Sequence, residues 1–359
     1  MDKDRISKEM EQAIRKGVFP GAVLLCAVNQ EIILHESYGV ADIFEKRQMR
    51  KDSIFDLASL TKPLATTMAI SKLVESQKIF LDQKIGSILK EFKKTDKADI
   101  TIDMLLRHTS GLPAFRKYFK KIIKNKNPRQ YLRRLLVCEA LENKINEKQV
   151  YSDLGFMIIS WIIEKITCQR LDRFVSRKIY SPLEIDNLFF IDLKQKDETL
   201  DRYCRKIVAT QQCPWRKKLL QGEVDDDNAW AVGGIEGHAG LFGDAVSIYR
   251  VCREILNALK EKPTKVLAPD VVKALVKKEK CYDMVAGFDT PSKHNSSSGK
   301  YFSKSSIGHL GFTGTSFWID PEKSLIIIIL TNRVHPLRFN DKIKKFRPVI
   351  HDLIYTRLI

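Results

Sequence analysis

The sequence predicts an α/β fold: an antiparallel sheet formed from the N- and C-terminal segments and flanked by helices, with a mainly helical domain inserted between them. Three observations predict it. Near the start, "GAVLLCAVNQEIILHESYG" reads as two apolar strands around a turn at Asn29-Gln30. Near the end, "GFTGTSFWID" and "SLIIIILTN" read as strands around the turn Pro321-Glu322-Lys323. Between them, apolar positions recur at helical spacing over 64–76, 102–107, 129–142, 153–167 and 244–260, separated by loops rich in glycine, proline or charge. An amphipathic helix over 3–16, stopped at Gly17, opens the chain, and a helix over 340–357 closes it. Strands at both ends can share one sheet. Residues 1–359 therefore read as one unit, with 1–58 and 243–359 in the α/β part and 59–242 in the helical insertion. A site is expected in a cleft between the layers. The segment "TPSKHNSSSGKYFSKSS", 290–306, reads as a mobile loop.

With 44% apolar residues, the chain can bury one large core or two smaller ones, which excludes a generally disordered protein. The opening segment has no apolar run of signal-peptide length and no later segment approaches a membrane span, so a cytoplasmic location is expected. Seven cysteines (Cys26, Cys138, Cys168, Cys204, Cys213, Cys252 and Cys281) are scattered without a C-x-x-C pair, which fits reduced thiols better than disulfides or a zinc site. The net charge of +18 raises nucleic-acid binding, and Arg116 to Arg134 holds nine basic residues and no acidic one. The remaining excess is spread along the chain, so a solvated or substrate-steering surface is favoured over a nucleic-acid partner.

The spacing Ser-x-x-Lys occurs three times, at Ser59–Lys62, Ser87–Lys90 and Ser297–Lys300. Lys90 belongs to a solvent-facing run with Lys93 and Lys94, and Ser297 lies in the serine-rich loop, where nothing would hold the pair together. By contrast, a strand-like "IFDLA" delivers Ser59 to the start of an apolar helix with Pro63 in its first turn. Three residues along a helix brings Lys62 beside Ser59. The helix start supplies unpaired N–H groups for an oxyanion, one such donor being worth roughly 3 kcal/mol of barrier. Lysine is a base only if its pKa falls by about three units, a cost of roughly 4 kcal/mol. A second helper stands in "VYSDLGF", where Tyr151 can relay a proton if a cation lowers its pKa; a packed aromatic followed by an Asx cap is the competing reading. Asp225, Asp226 and Asp227 with His238 raise a metal site, but consecutive carboxylates diverge, and a solvated acidic loop is preferred. His238, flanked by glycines, fits a cleft residue and a structural one equally.

Taken in order, these segments resemble the serine β-lactamases and penicillin-binding DD-peptidases, particularly the class C branch and its esterase relatives. "ASLTK" is similar to the family's nucleophile motif and "YSD" to its Tyr-x-Asn motif. "GHLGFTGTSFWIDP" is similar to its C-terminal strand, with His309-Leu310-Gly311 where many members have Lys-Thr-Gly. "ITIDMLLRHTSGLP", "SPLEIDNLFF" and "GGIEGHAGLF" extend the likeness over nearly the whole chain. The resemblance implies a β-lactamase/transpeptidase-like fold and an acyl-enzyme on Ser59, with Lys62 and Tyr151 sharing the proton transfers. It implies an oxyanion hole from the backbone N–H groups of Ser59 and Phe312, and substrate binding by Asp153, His309, Gly311 and His238. No metal or organic cofactor is called for. Residues 213–242 resemble a cytoplasmic branch whose amidases remove the peptide from N-acetylmuramic acid in cell-wall recycling. That makes the expected partner a small-molecule or peptide-like substrate, a muropeptide in particular, which the basic face over 116–134 would attract.

Two positions depart from the pattern. His309, mostly neutral near pH 7, is a weaker anchor for a carboxylate than lysine, which argues against an efficient β-lactamase or a strict carboxypeptidase. Asp153 at the asparagine position favours protonated Lys62, which points to Tyr151 as principal base with Lys62 as its electrostatic partner. A carboxylesterase and a non-catalytic peptidoglycan-ligand sensor are the alternative functions.

Overall fold

In the computed structural model, which describes residues 3–195, 202–279 and 282–359, the chain opens with helix α1 (Lys3–Arg15), whose Ile6, Met10 and Ala13 share one buried face. Strands β1 (Gly21–Val28) and β2 (Glu31–Asp42) pair antiparallel across Asn29 and Gln30, both of positive φ as a two-residue hairpin turn demands. Next come β3 (Arg47–Gln48) and β4 (Phe55–Asp56), then a π-type turn Lys62–Thr67 that runs into α2 (Met68–Glu75). The helical middle holds α3 (Ile85–Ile88), α4 (Ile102–Leu106), α5 (Phe119–Ile122), α6 (Pro128–Cys138), α7 (Asp153–Thr167) and α8 (Leu171–Val175). Short strands β5 (Leu188–Phe190), β6 (Gln212–Cys213) and β7 (Lys218–Leu219) precede α9 (Asp227–Ala231) and β8 (Leu241–Gly243). After α10 (Ala245–Leu259) and α11 (Pro269–Val276) come β9 (Met284–Val285), β10 (Phe288–Asp289), β11 (Ile307–Leu310), β12 (Ser316–Asp320) and β13 (Leu325–Thr331). Helix α12 (Ile343–Leu358) ends the chain.

The large sheet runs β3-β2-β1-β13-β12-β11-β10-β9, so the N-terminal hairpin closes on the last strand of the C-terminal meander. Alternation along β1 explains why both faces are covered. Ala22, Leu24 and Cys26 join Ile6 of α1 and Ile350 of α12 in one core, whereas Val23, Leu25 and Ala27 join Ile248 and Ile255 of α10 in the other. Each fully buried aliphatic side chain contributes about 2 kcal/mol. A second sheet, β4-β8-β5, brings residue 56 beside residue 242.

One local expectation fails, in the helical segment. The helix expected over 129–142 stops at Cys138, because Glu139 turns extended and its carboxylate takes Arg116 at 2.9 Å and the Tyr118 hydroxyl. Over 290–306 the chain lacks regular structure but is tied to α12: the Lys300 N–H donates to Asp352 at 2.6 Å, and His351 Nδ1 donates to the Ser297 carbonyl at 2.9 Å. In the basic segment, Arg116 also meets Glu142, and Arg129 and Arg133 share Glu164. Cys26, Cys213 and Cys252 are buried, Cys138 and Cys168 are exposed, and none of these five is in a disulfide; Cys281 lies outside the described residues. Among the described residues no helix is long and apolar enough to cross a membrane.

Candidate active site

Strand β4 ends in a backbone that is strained for a non-glycine residue: Ala58 has φ 47°, held by Asp56 Oδ1, which accepts the Ala58 N–H at 2.9 Å. Ser59 therefore rides a 3₁₀ turn, Ala58–Leu60, ahead of the π-type turn, rather than the first turn of an α-helix. The three-residue relation survives, and Lys62 Nζ donates to Ser59 Oγ at 3.0 Å. The same ammonium donates to the His238 carbonyl at 3.2 Å and forms an ion pair with Asp153 Oδ1 at 2.8 Å. Its side chain is fully buried, with Nζ 4.8 Å from the Tyr151 ring centre.

Electrostatics follow from that packing. Burial pulls the Lys62 ammonium down, but Asp153 and Tyr151 outweigh it and hold Lys62 above an ordinary lysine. Burial pushes the Tyr151 phenol up to about 12, although Lys62 pulls the other way and its hydroxyl interacts with both Lys62 and Ser59. The resting site thus holds a charged lysine and a neutral tyrosine. A phenolate at Tyr151 would be stabilised by the adjacent ammonium.

Long-range contacts position these groups. His108, at φ 62°, accepts the Ser152 N–H on Nδ1 at 3.0 Å and packs its ring 4.7 Å from that of Tyr151. Ser152, rather than an Asx residue, caps α7 by accepting the Gly155 N–H. The "GGIEGHAGLF" stretch wraps the turns that carry Ser59 and Lys62: Thr66 donates to the Gly237 carbonyl at 2.7 Å and Thr61 accepts the Leu241 N–H at 3.1 Å. From the other side, Thr313 donates to the Asp56 carbonyl at 2.7 Å and Thr315 to the Leu57 carbonyl at 3.1 Å. Gly311 permits this approach, since a Cβ there would stand 2.6 Å from the Leu57 oxygen. The Gly311 carbonyl accepts the Gly314 N–H at 3.0 Å, which fixes the peptide plane carrying the Phe312 N–H. That N–H has no acceptor among the described residues and is available to an oxyanion.

A cavity of about 690 Å³ brings together Ser59, Tyr151, Asp153, His238, His309, Gly311 and Phe312, with Lys62 beneath its floor. His309 is buried; burial, and then the Lys62 charge, hold its imidazole down at about 3, and Nδ1 pairs with the Leu310 carbonyl at 2.9 Å. The strand edge therefore presents a neutral ring.

The acidic loop corrects the expectation of a solvated trio. Asp225 and Asp227 are buried, and the three carboxylates face different partners. Asp225 takes Gln211 at 2.9 Å, Asp226 takes His238 Nε2 at 2.9 Å, and Asp227 takes Arg216 at 2.7 Å. Burial disfavours the His238 cation, but Asp226 outweighs it and raises the imidazole above its ordinary value, leaving Nδ1 without a partner. Sequence reasoning did not single out His108, Asp289, Arg333, Arg338 or Arg347, the last four of which line the cavity. The available signals were the histidine and glycine of "RHTSGLP" and the arginines clustered after the last strand.

The Beta-lactamase family model matches residues 6–348. A Salmonella agona protein provisionally named a D-alanyl-D-alanine carboxypeptidase is 30% identical over 90% of this chain and 81% of its own. The N-acetylmuramyl-L-alanine amidase of Bacillus subtilis is 28% identical over 92% of this chain and 81% of its own. Among solved structures, a penicillin-binding protein homologue from Caulobacter crescentus superposes with a TM-score of 0.77 at 18% identity, covering 99% of this chain and 98% of that one.

Proposed function

Because the chain belongs to the Beta-lactamase family and is a serine hydrolase of that family, we propose that it cleaves an amide bond of a muropeptide in the cytoplasm through an acyl-enzyme on Ser59. The carrying observation is the buried Lys62 ammonium, 3.0 Å from Ser59 Oγ and 2.8 Å from Asp153, beneath a cavity that Ser59, Asp153 and Phe312 line. Tyr151, as phenolate beside that ammonium, takes the Ser59 proton while Oγ attacks the carbonyl carbon. The N–H groups of Ser59 and Phe312 receive the oxyanion, and Tyr151 returns the proton to the departing amine. Water, deprotonated by the same phenolate, then hydrolyses the ester. The likeness to the Bacillus subtilis amidase over 92% of the chain supports the amide substrate.

The test is parallel incubation of the protein and Ser59→Ala with muropeptides, short-chain esters and D-Ala-D-Ala peptides, followed by intact-mass measurement. Muropeptide cleavage is expected from the unaltered protein alone, with an acyl adduct on Ser59. Turnover of esters only would make it a carboxylesterase. Tight muropeptide binding without turnover, equal in Ser59→Ala, would make it a sensor, and failure of a fluorophosphonate to label Ser59 would overturn this use of the site.

A further inference from the structure

We propose that Asp56 is a positioning residue for the reaction at Ser59: as the anion it locks the nucleophile's turn to the loop that carries Asp226, and the site is assembled for turnover only while both of its oxygens accept. The inference rests on the hydrolase reading of the Ser59 site and names a group that holds that site together from outside the cavity.

Asp56, on β4, is 2% exposed and is not among the residues that line the cavity. Its two oxygens serve two segments. Oδ1 accepts the Ala58 N–H at 2.9 Å, which holds the left-handed backbone just ahead of Ser59, and Oδ2 accepts the Asp225 N–H at 2.6 Å from a distant part of the chain. The next residue of that loop, Asp226, pairs with His238 Nε2 at 2.9 Å, and the His238 carbonyl accepts from Lys62 at 3.2 Å. One carboxylate therefore fixes Ser59 from the strand side and an acceptor of Lys62 from the loop side.

Nothing in the fold compensates its charge. Among the described residues no cation forms an ion pair with Asp56, whereas Asp225 has Arg338 at 3.7 Å. The charged groups that face it are Asp225 and Asp226, both acidic; β8 pairs with it through Leu241 to Gly243, and the turn beyond β11 presents the hydroxyls of Thr313 and Thr315. Burial first, and then the charge of Asp225, push the Asp56 carboxyl up to about 7, against the pull of its two N–H bonds. A neutral side chain would be easier to bury, but an amide has one oxygen and would turn its NH2 on the second N–H. The protonated acid meets the same problem, because its hydroxyl must donate where the backbone offers another donor. Loss of the anion thus frees either the Ser59 turn or the Asp226 loop.

The experiment follows, from about pH 5.5 to 9, the labelling of Ser59 by a neutral fluorophosphonate and kcat and KM for a neutral ester, in the unaltered protein and in Asp56→Asn, with melting temperatures alongside. In the unaltered protein both rates should steepen below about pH 7, falling a further tenfold per unit beyond the limb set by Tyr151. Asp56→Asn should lower kcat at pH 8 by about tenfold or more, leave KM within about threefold, and lose the added steepening. A carboxyl raised in the folded state withdraws stability as pH climbs from its ordinary value to about 7, so the melting temperature of Asp56→Asn should gain about 3 °C on the unaltered protein between pH 5 and 7. Absence of the added steepening in the unaltered protein overturns the proposal, as does a melting difference that stays constant with pH. So does Asp56→Asn with kcat within about threefold of the unaltered protein at pH 8, or with its loss confined to KM. If Asp56→Asn does not fold, the double variant with Ala58→Gly, where glycine adopts the left-handed backbone freely, is read for the steepening alone, and its persistence there overturns the proposal. If the unaltered protein neither labels nor turns over at any pH, the hydrolase reading itself falls, and this role of Asp56 with it.

Discussion

Beneath the floor of the cavity, Lys62 donates to Ser59 and the His238 carbonyl and pairs with Asp153, while on the C-terminal wall Arg347 spends one donor on Thr315 and leaves Nε unpaired. Both cations are buried, yet only one is neutralised by the protein itself. The internal carboxylate of Asp153 holds Lys62 as the ammonium. Charge compensation, more than residue type, separates these two buried cations.

The largest break in that contrast comes from emptying the floor. Lys62→Met removes the ammonium that stabilises the Tyr151 phenolate and leaves Asp153 without its cation. Turnover of a neutral ester should fall by about 10³-fold or more, with the fluorophosphonate labelling rate of Ser59 falling in parallel. Labelling within threefold of the unaltered protein would show that Lys62 does not activate the serine.

This floor was largely visible in the sequence, because its parts lie within short windows: Ser59 and Lys62 within one turn, Tyr151 and Asp153 at one helix start. The sheet was visible for the same reason, since alternation in "GAVLLCAV" and "SLIIIILT" is a local property. The wall was not. Arg347 is 32 residues from Thr315 and 288 from Ser59, and nothing in "KKFRPVI" distinguishes an unpaired arginine from the paired ones nearby. The acidic trio was misread because its partners, Gln211, Arg216, His238 and Arg338, come from separate segments, so local composition suggested solvent where the fold supplies counter-charges. The neutrality of His309 could be guessed from its type, but its depth comes from burial that only the folded sheet provides.

Asp153→Asn sharpens the comparison, because it makes the floor resemble the wall by leaving a buried cation without its carboxylate. The sign can be worked out. Burial first, and Asp153 with it, raise the Tyr151 phenol to about 12 against the pull of Lys62, and Asp153 also raises the Lys62 ammonium. If the phenolate is the base, activity in the unaltered protein should climb with pH from neutrality through the alkaline range, tenfold per unit while the phenol is mostly protonated. Removing the Asp153 charge lowers the phenol, so the alkaline limb should move to lower pH and the rate at pH 8 on a neutral ester should rise severalfold. A profile that stays in place would assign the base to a group Asp153 does not influence.

The smallest effect should come from the joint between the two regions. Thr313, 1% exposed, donates to the Asp56 carbonyl at 2.7 Å and so ties the turn carrying the Phe312 N–H to the strand that delivers Ser59. Thr313→Val keeps the volume and deletes the donor, at a cost of about 1 kcal/mol in unfolding free energy, measurable by denaturant titration. Because Thr315 still holds the Leu57 carbonyl, the oxyanion donors should drift rather than separate, and kcat should fall severalfold with KM little changed. An increase in KM with kcat intact would mean instead that the joint serves the wall, through the Thr315–Arg347 bond, and that floor and wall are positioned independently.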